Sequence, residues 1–90
     1  MIYFAQSMNG GPIKIGFSDD VDKRMSSLRS SNPEPLILLG VMEGDRVEEK
    51  KVHRLFKRKR GEWFYDSPEL REFIRVTCDE RLRPCSWSNF

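Results

Sequence analysis

The sequence has few of the features that mark membrane proteins, secreted disulfide scaffolds or disordered chains. No apolar run in its 90 residues approaches the roughly 18 that span a bilayer, and no charged segment followed by an apolar one marks a signal peptide. Its two cysteines, Cys78 and Cys85, have a spacing that fits neither a CxxC zinc motif nor a disulfide framework. The apolar fraction of 38% is too high for a disordered chain. We therefore expect one small cytoplasmic domain with reduced thiols, nucleoid-associated if the source is bacterial.

The charges nearly cancel, because 16 basic and 14 acidic residues leave a net charge of +2. Their distribution is less even, since residues 50–60 hold a concentrated basic stretch. Its members are Lys50, Lys51, Arg54, Lys57, Arg58, Lys59 and Arg60. Such a stretch can neutralise nucleic-acid phosphates, and it can equally be the solvated face of a helix. Composition alone leaves both interpretations open.

The first 17 residues predict a β-hairpin. Residues 2–5 and Ile13–Phe17 alternate in polarity, and a glycine-rich segment joins them. Apolar side chains of both arms share one face, while Tyr3 and Lys14 fall on the other. If paired residue numbers sum to 17, Tyr3 lies directly across from Lys14 and residues 7–10 form the loop. The predicted feature is a phenol beside an ammonium, away from the core face.

A helix and a strand follow the hairpin. Ser18 can cap a first helix of residues 19–30, which carries Arg24 at the border of a narrow apolar stripe. The stripe consists of Val21, Met25 and Leu28. Leu36–Met42 is a nearly continuous apolar run, which predicts a strand buried on both faces and either central or well covered.

Two further helices complete the domain. Asp45 followed by Glu48 is a capping-box pattern for a second helix that ends at about Lys59. Its apolar face is formed by Val52, Leu55 and Phe56. After an aromatic-rich extended piece at residues 61–65, Ser67 with the following proline starts a third helix. The buried stripe of that helix is formed by Leu70, Phe73 and Ile74.

These elements predict a small α/β (α+β) domain over residues 1–76, with a loose tail at residues 77–90. The expected architecture is a three-stranded antiparallel sheet flanked by helices. The element order is β-β-α-β-α-(short β)-α.

Five polar residues lie on or beside elements that must also bury an apolar face: Tyr3, Lys14, Arg24, Glu49 and His53. Each has an ordinary explanation when taken alone. A strand tyrosine commonly packs with its hydroxyl in water, a border arginine extends its head to solvent, and a helical glutamate faces solvent. A lone histidine is more often a hydrogen-bonding residue than a catalyst. The combination is more informative than its members.

Their order and spacing resemble the GIY-YIG endonuclease superfamily. Ile2-Tyr3 matches the end of the G-I-Y strand, with Met1 in place of the leading glycine, and residues 14–16 match Y-I-G, with lysine in place of tyrosine. Arg24 matches the superfamily's helix arginine, and Glu49 matches its metal-binding glutamate. The resemblance covers about residues 1–75.

The chain is more similar to one small branch of that superfamily, found in phage and bacterial proteins and in some fungal proteins. That branch has K-I-G as its second motif, a helix with the pattern E-x-x-x-H-x-x-F, and a following G-E-W-F. The matching residues here are Lys14, Glu49, His53, Phe56 and the segment 61–64.

The resemblance implies hydrolysis of a DNA phosphodiester with one Mg²⁺ or Mn²⁺ ion. Glu49 would supply the protein carboxylate to the metal, and Arg24 would hold the scissile phosphate. Tyr3 would be the general base, which requires a nearby cation such as Lys14, because a free tyrosine has a pKa of about 10. His53 would orient the water or contact phosphate, and is an alternative base.

Several choices stay open at this point. Glu48, nearer the centre of the helix's apolar face, is the second candidate metal ligand, and Glu62 is the third. DNA is the expected partner, with no membrane association, and the chain could act as a homodimer or with a separate DNA-targeting partner. The candidate nucleic-acid-binding residues are Lys50, Arg54, Lys57, Arg58 and Arg60. The competing hypotheses are a nucleic-acid-binding or partner-binding module with the same fold and no catalysis, and a purely structural or interaction domain.

Overall fold

The computed structural model describes residues 1–31 and 34–78. The predicted tail therefore lies almost wholly outside the described residues, and so does Cys85. The described elements are β1 (Ile2–Ser7), β2 (Ile13–Phe17), α1 (Val21–Ser31), β3 (Leu36–Met42), α2 (Arg46–Leu55), β4 (Arg58–Arg60), β5 (Trp63–Phe64) and α3 (Pro68–Thr77). An α+β fold with an antiparallel sheet and three helices is confirmed. None of these helices is long and apolar enough to cross a membrane.

The sheet has five strands in the described residues, in the order β3-β1-β2-β5-β4, so the prediction of three strands is wrong. The difference arises after α2, which ends at Leu55 rather than at Lys59. Gly61 has a positive φ of 56°, a conformation that glycine adopts without steric cost. The chain turns back there and pairs β4 with β5. The basic residues predicted for the end of a helix therefore lie in part on an edge strand.

The β1–β2 hairpin has a different register from the predicted one. Tyr3 lies across from Gly16, and Lys14 lies across from Ala5. A shift of two residues keeps every side chain on its predicted face, so Tyr3 and Lys14 still share a face but are not directly opposed. Gly16 leaves the space that the Tyr3 ring needs, because a Cβ atom at position 16 would lie 2.5 Å from the Tyr3 hydroxyl oxygen.

Both faces of the sheet are buried, which corrects the expectation that Tyr3 lies away from the core. The face covered by α2 and α3 is built from Ile2, Phe4, Ile13, Ile15, Val52, Phe64, Leu70 and Ile74. The face covered by α1 is built from Tyr3, Ala5, Val21, Met25, Leu36, Leu38 and Val41. Only 1% of the Tyr3 surface is exposed. Tyr3 is therefore a core residue as well as a candidate catalytic one.

The strand β3 is well covered, as one of the two predicted alternatives has it, but it is not central. Among the described strands it lies at the edge of the sheet and pairs with β1. Leu38 packs in the α1 cluster and Leu39 packs against the opposite one. Its continuous apolar sequence thus reflects helices on both faces rather than strands on both sides.

The helix starts follow their capping residues closely. Asp45 accepts a hydrogen bond from the Glu48 backbone N–H at 2.9 Å, and Ser67 accepts one from the Leu70 N–H at 3.2 Å, as predicted. The first helix is capped by Asp20, which accepts from the Lys23 N–H at 3.0 Å, so it starts two residues later than predicted.

The apolar face of the second helix differs from the prediction at its C-terminal end. Leu55 is exposed, whereas Phe56 has left the helix and packs on the core. The stripe of the third helix is confirmed, with Leu70 and Ile74 buried and Phe73 packed against the same cluster.

A polar cluster joins the far end of the hairpin to α3. The buried Gln6 side chain donates from Nε2 to the Gly11 carbonyl at 2.7 Å and to the Asp66 carboxylate at 3.0 Å. Arg71 donates to the Gln6 oxygen and to both Asp66 carboxylate oxygens, each at 2.8 Å. Both polar atoms of the Gln6 amide are thus satisfied despite burial. The hydrogen bonds from Arg71 hold the pKa of Asp66 below its ordinary value.

Replacing Gly16 by alanine is expected to destabilise the fold by about 1–3 kcal/mol, because the new methyl group overlaps the Tyr3 ring. Urea denaturation measures this cost. In a Tyr3→Leu background the ring tip is gone, so the same Gly16→Ala change should cost clearly less. An equal cost in both backgrounds would show that the ring does not depend on the glycine.

The Asp66 carboxylate should make the fold sensitive to acid. Because its pKa is lower in the folded chain, the group stabilises the fold above the ordinary carboxyl pKa of about 3.9. That contribution disappears as the pH falls through the lower folded value. We therefore expect the unfolding temperature of Asp66→Asn to decrease less steeply than that of the parent as the pH is lowered from 6 to 2. If the unfolding temperatures of the two proteins decreased equally with falling pH, this assignment would be contradicted.

Candidate active site

A cleft of about 530 Å³ opens beside the β1–β2 hairpin, between α1 and α2. Its walls are formed by Tyr3, Phe17, Ser18, Asp19, Asp20, Lys23, Arg24, Ser27, Arg46, Glu49 and Glu62. Three of the five predicted catalytic residues, Tyr3, Arg24 and Glu49, are on this surface. They come from β1, α1 and α2, so three separate elements converge there.

Arg24 contacts the hydroxyl of Tyr3. Its Nε–H donates to the Tyr3 hydroxyl oxygen at 3.4 Å. That hydrogen bond, together with the charge of Glu62, raises the pKa of Arg24 above its ordinary value, so the guanidinium stays charged. Its two terminal NH₂ groups have no hydrogen-bond partner among the described residues and remain available to an anion in the cleft.

Glu49 is the most informative residue of the cleft. Only 7% of its surface is exposed, yet its carboxylate makes no hydrogen bond or ion pair with any residue that the structure describes. Glu49 and Val52 are the two buried residues of α2, so the apolar face of the helix carries this carboxylate into the domain. A buried carboxylate without a partner is unfavourable unless a cation joins it.

Lys14 lies across from Ala5 rather than from Tyr3 and makes no hydrogen bond with Tyr3 in the described structure, which corrects the expected pairing. Its ammonium lies 3.1 Å from a carboxylate oxygen of Glu62 and 5.3 Å from the centroid of the Trp63 ring. Lys14 lies across from Trp63 in the pairing of β2 with β5, which places its side chain beside β5. The cation next to Tyr3 is Arg24 instead.

Glu62 connects these charges, and it is the third of the candidate metal ligands. It pairs with Lys14 on one side, and its charge acts on Arg24 on the other. The charges therefore alternate in sign from Lys14 through Glu62 to Arg24. Glu48, the second candidate ligand, is exposed outside the cleft, with its carboxylate 3.5 Å from the Lys51 ammonium.

Among the predicted catalytic residues, His53 has contacts typical of a structural role. Its Nε2 lies 3.0 Å from the Ile15 carbonyl oxygen, a contact that requires Nε2 to donate. Its ring packs on Phe64 with 4.9 Å between centroids. His53 does not line the cleft. It joins α2 to the sheet on the side opposite Tyr3.

Several cleft residues were not assigned to a site from the sequence, and Phe17 and Arg46 are two of them. The Arg46 guanidinium lies over the Phe17 ring, 5.0 Å from its centroid. Arg46 precedes Glu49 by three residues, which places both on one side of a helix. That spacing was visible in the sequence and could have indicated a shared site.

The five residues predicted to bind nucleic acid are all exposed, and none of them lines the cleft. Lys50 and Arg54 lie on α2, and Arg58 and Arg60 lie on β4. Lys57 lies between these elements, with its ammonium 5.5 Å from the Tyr65 ring centroid. They form a separate basic surface along α2 and the sheet edge.

The comparisons with known proteins agree with a nuclease-related assignment at a general level. The model of the T5orf172 domain family matches residues 1–83. No curated protein and no solved structure matches the chain significantly. The T5orf172 domain is phage-associated and related to nuclease-type modules. Since the match covers nearly the whole chain, the protein belongs to the T5orf172 domain family.

Proposed function

We propose that this protein is a metal-dependent endonuclease that hydrolyses DNA phosphodiester bonds. The observation that carries the proposal is the buried carboxylate of Glu49, which has no partner in residues 1–31 and 34–78, in the same cleft as the Arg24–Tyr3 pair. The GIY-YIG resemblance assigns these three residues to metal binding, phosphate binding and general base catalysis. Their convergence from three elements supports that assignment.

The charges of the cleft suit a bound divalent cation. Its lining has three cationic side chains, Lys23, Arg24 and Arg46, and four carboxylates, Asp19, Asp20, Glu49 and Glu62. Lys14 neutralises Glu62 from one side, which leaves the site close to neutral. An anionic phosphodiester therefore gains little net attraction from the protein alone, and a divalent cation would provide it.

Glu49 would hold Mg²⁺ or Mn²⁺ at the cleft wall. Mg²⁺ in nucleotide-processing sites is typically bound through one or two carboxylates together with waters and substrate phosphate, so a single carboxylate fits its chemistry. The described residues contain no group of three or more His, Cys, Asp or Glu side chains placed to hold a metal, which is consistent with such an open site. When bound, the ion supplies charge stabilisation at the scissile phosphate and at the leaving oxygen.

Arg24 and Tyr3 would act on the phosphate and the water. The free NH₂ groups of Arg24 would donate to the scissile phosphate, where negative charge increases in the transition state. Tyr3 holds the guanidinium through the Nε contact. In its phenolate form, after releasing its own proton to solvent, Tyr3 would take the proton from a water held in the cleft, directly or through a second water. The cation beside this base is Arg24, so the mechanism does not need Lys14 at Tyr3.

A second candidate function is nucleic-acid binding without cleavage. The exposed basic residues of α2 and β4 favour it, since they lie outside the cleft and need no metal. Salt-sensitive DNA binding without any metal-dependent hydrolysis would support this alternative.

Replacing Glu49 by glutamine should abolish cleavage of supercoiled plasmid DNA in Mg²⁺ or Mn²⁺, because the substitution removes the metal-binding carboxylate and keeps its shape. Glu48→Gln is the matched control, since it removes a neighbouring carboxylate outside the cleft. Nicked and linear products on an agarose gel measure the rate. If the two variants cleave equally well, Glu49 is not the metal ligand.

Replacing Arg24 by lysine should slow cleavage by about 10²–10³-fold, the usual effect of losing one positioned donor to a transition-state oxyanion. Lysine keeps the charge but lacks the rigid planar fork, in which Nε donates to Tyr3 while the separate NH₂ groups face the phosphate. Arg29→Lys, on the same helix and outside the cleft, should cleave at the parent rate. A full rate for Arg24→Lys would refute the phosphate-holding role.

A further inference from the structure

The pair formed by Arg46 and Phe17 has no role in the mechanism above, although both residues line the cleft. The guanidinium lies over the ring, 5.0 Å from its centroid, so the exposed Arg46 side chain has an aromatic contact at the cleft wall. A cation–π contact uses the charge of the guanidinium and none of its five N–H donors, which stay available for hydrogen bonds. The aromatic contact thus fixes a cation at the cleft wall without using its donors.

Arg46 has no counter-ion among the described residues, although other basic side chains of the fold have one. Four basic side chains have carboxylate partners: Lys14 with Glu62, Lys51 with Glu48, Arg71 with Asp66, and Arg75 with Glu72. Arg46 makes no ion pair or hydrogen bond within the described ranges 1–31 and 34–78. Glu49, three residues further along α2, is similarly unpaired even though the two have opposite charges. Arg46 and Glu49 lie on the same side of α2 and do not pair with each other, so each is available to a ligand of the opposite charge.

We propose that Arg46 is a second phosphate-binding group of the cleft, which holds a backbone phosphate next to the one at Arg24. The two arginines come from different helices, α2 and α1, and line one cleft of about 530 Å³. This volume lies in the range of sites for whole small molecules and is larger than one phosphate needs. The ligand that uses both arginines is a polynucleotide strand held at two phosphates. This inference rests on the proposed function and specifies its substrate as an internal phosphodiester rather than a phosphomonoester.

Salt-dependent DNA binding tests this proposal without cleavage. A fluorescently labelled duplex is titrated with protein in Ca²⁺ buffer over a range of salt concentrations, and the slope of log K against log[salt] is measured. Loss of one phosphate contact reduces that slope by about 0.9 for duplex DNA. Arg46→Met should show this reduction, because methionine retains the packing on Phe17 and removes the charge. Arg46→Lys should keep the slope.

The control variant is Arg75→Met, which removes an arginine on α3 that is paired with Glu72 and lies outside the cleft. Its slope should equal that of the parent. Phe17→Leu should weaken binding and leave the slope unchanged, because the charge remains and only its support is lost. Urea denaturation of each variant confirms that it is folded.

A second readout locates the phosphate. When a neutral methylphosphonate replaces the phosphate next to the cut, cleavage by the parent should slow, and the same replacement should have no further effect on Arg46→Met. An unchanged salt slope for Arg46→Met, or no DNA binding by the parent, overturns the proposal. A parent that binds with the expected Arg46 dependence but does not cleave in Mg²⁺ refutes the nuclease function and retains the Arg46 site.

Discussion

The contact between the Tyr3 ring and Gly16 is the constraint on which the site depends. The phenol lies against Gly16, its partner across the hairpin, where a side chain would overlap the ring. Its position brings the hydroxyl to the Nε of Arg24 and so determines where the guanidinium of α1 is held. A bulkier residue at position 16 would displace the ring, and with it the only hydrogen-bonded support that Arg24 has in the described structure. The contact between Tyr3 and Gly16 therefore matters both for the packing of the hairpin and for the position of Arg24.

The charged groups around this contact divide into structural and available ones. Lys14 is nearly buried and is compensated by Glu62 and by the Trp63 ring, so its charge is used inside the protein. Arg46 and Glu49 are not compensated in this way. The burial of Glu49 without a partner among the described residues, in the same cleft as Arg46, is what indicates a candidate binding site there rather than a general polar surface.

Local patterns in the sequence predicted most of the elements, and non-local geometry explains what they missed. Alternation identified the hairpin arms, and the capping residues Asp45 and Ser67 identified two helix starts, because these signals act within a few residues. The hairpin register was wrong by two residues. Alternation has a period of two, so it cannot detect a shift of that size. In the observed register Gly16 leaves room for a ring thirteen positions away in the chain, a contact that alternation does not reveal.

The same limit applies to the candidate site. Tyr3, Arg24 and Glu49 were identified together through motif order, and the structure brings them to one cleft. Lys14 and His53 belong to the same motifs but face other groups, since a motif records spacing and not direction. Whether a side chain points into a cleft or into the core depends on helix rotation and strand pairing, which one sequence does not specify. Arg46 is the opposite case: it lines the cleft but belongs to none of the motifs.

The short strand β4 has a consequence for the behaviour of the protein in solution. Its three residues, Arg58, Lys59 and Arg60, are all exposed at the outer edge of the sheet. An open edge offers unpaired backbone groups to any other strand, and a short edge strand with positive charges discourages such pairing, because two copies repel each other when they approach. These basic residues therefore protect the chain from edge-to-edge aggregation. Their presence is explained by solubility even before any contact with DNA is considered, and charge-reversing substitutions there should be judged first by whether the protein stays monodisperse.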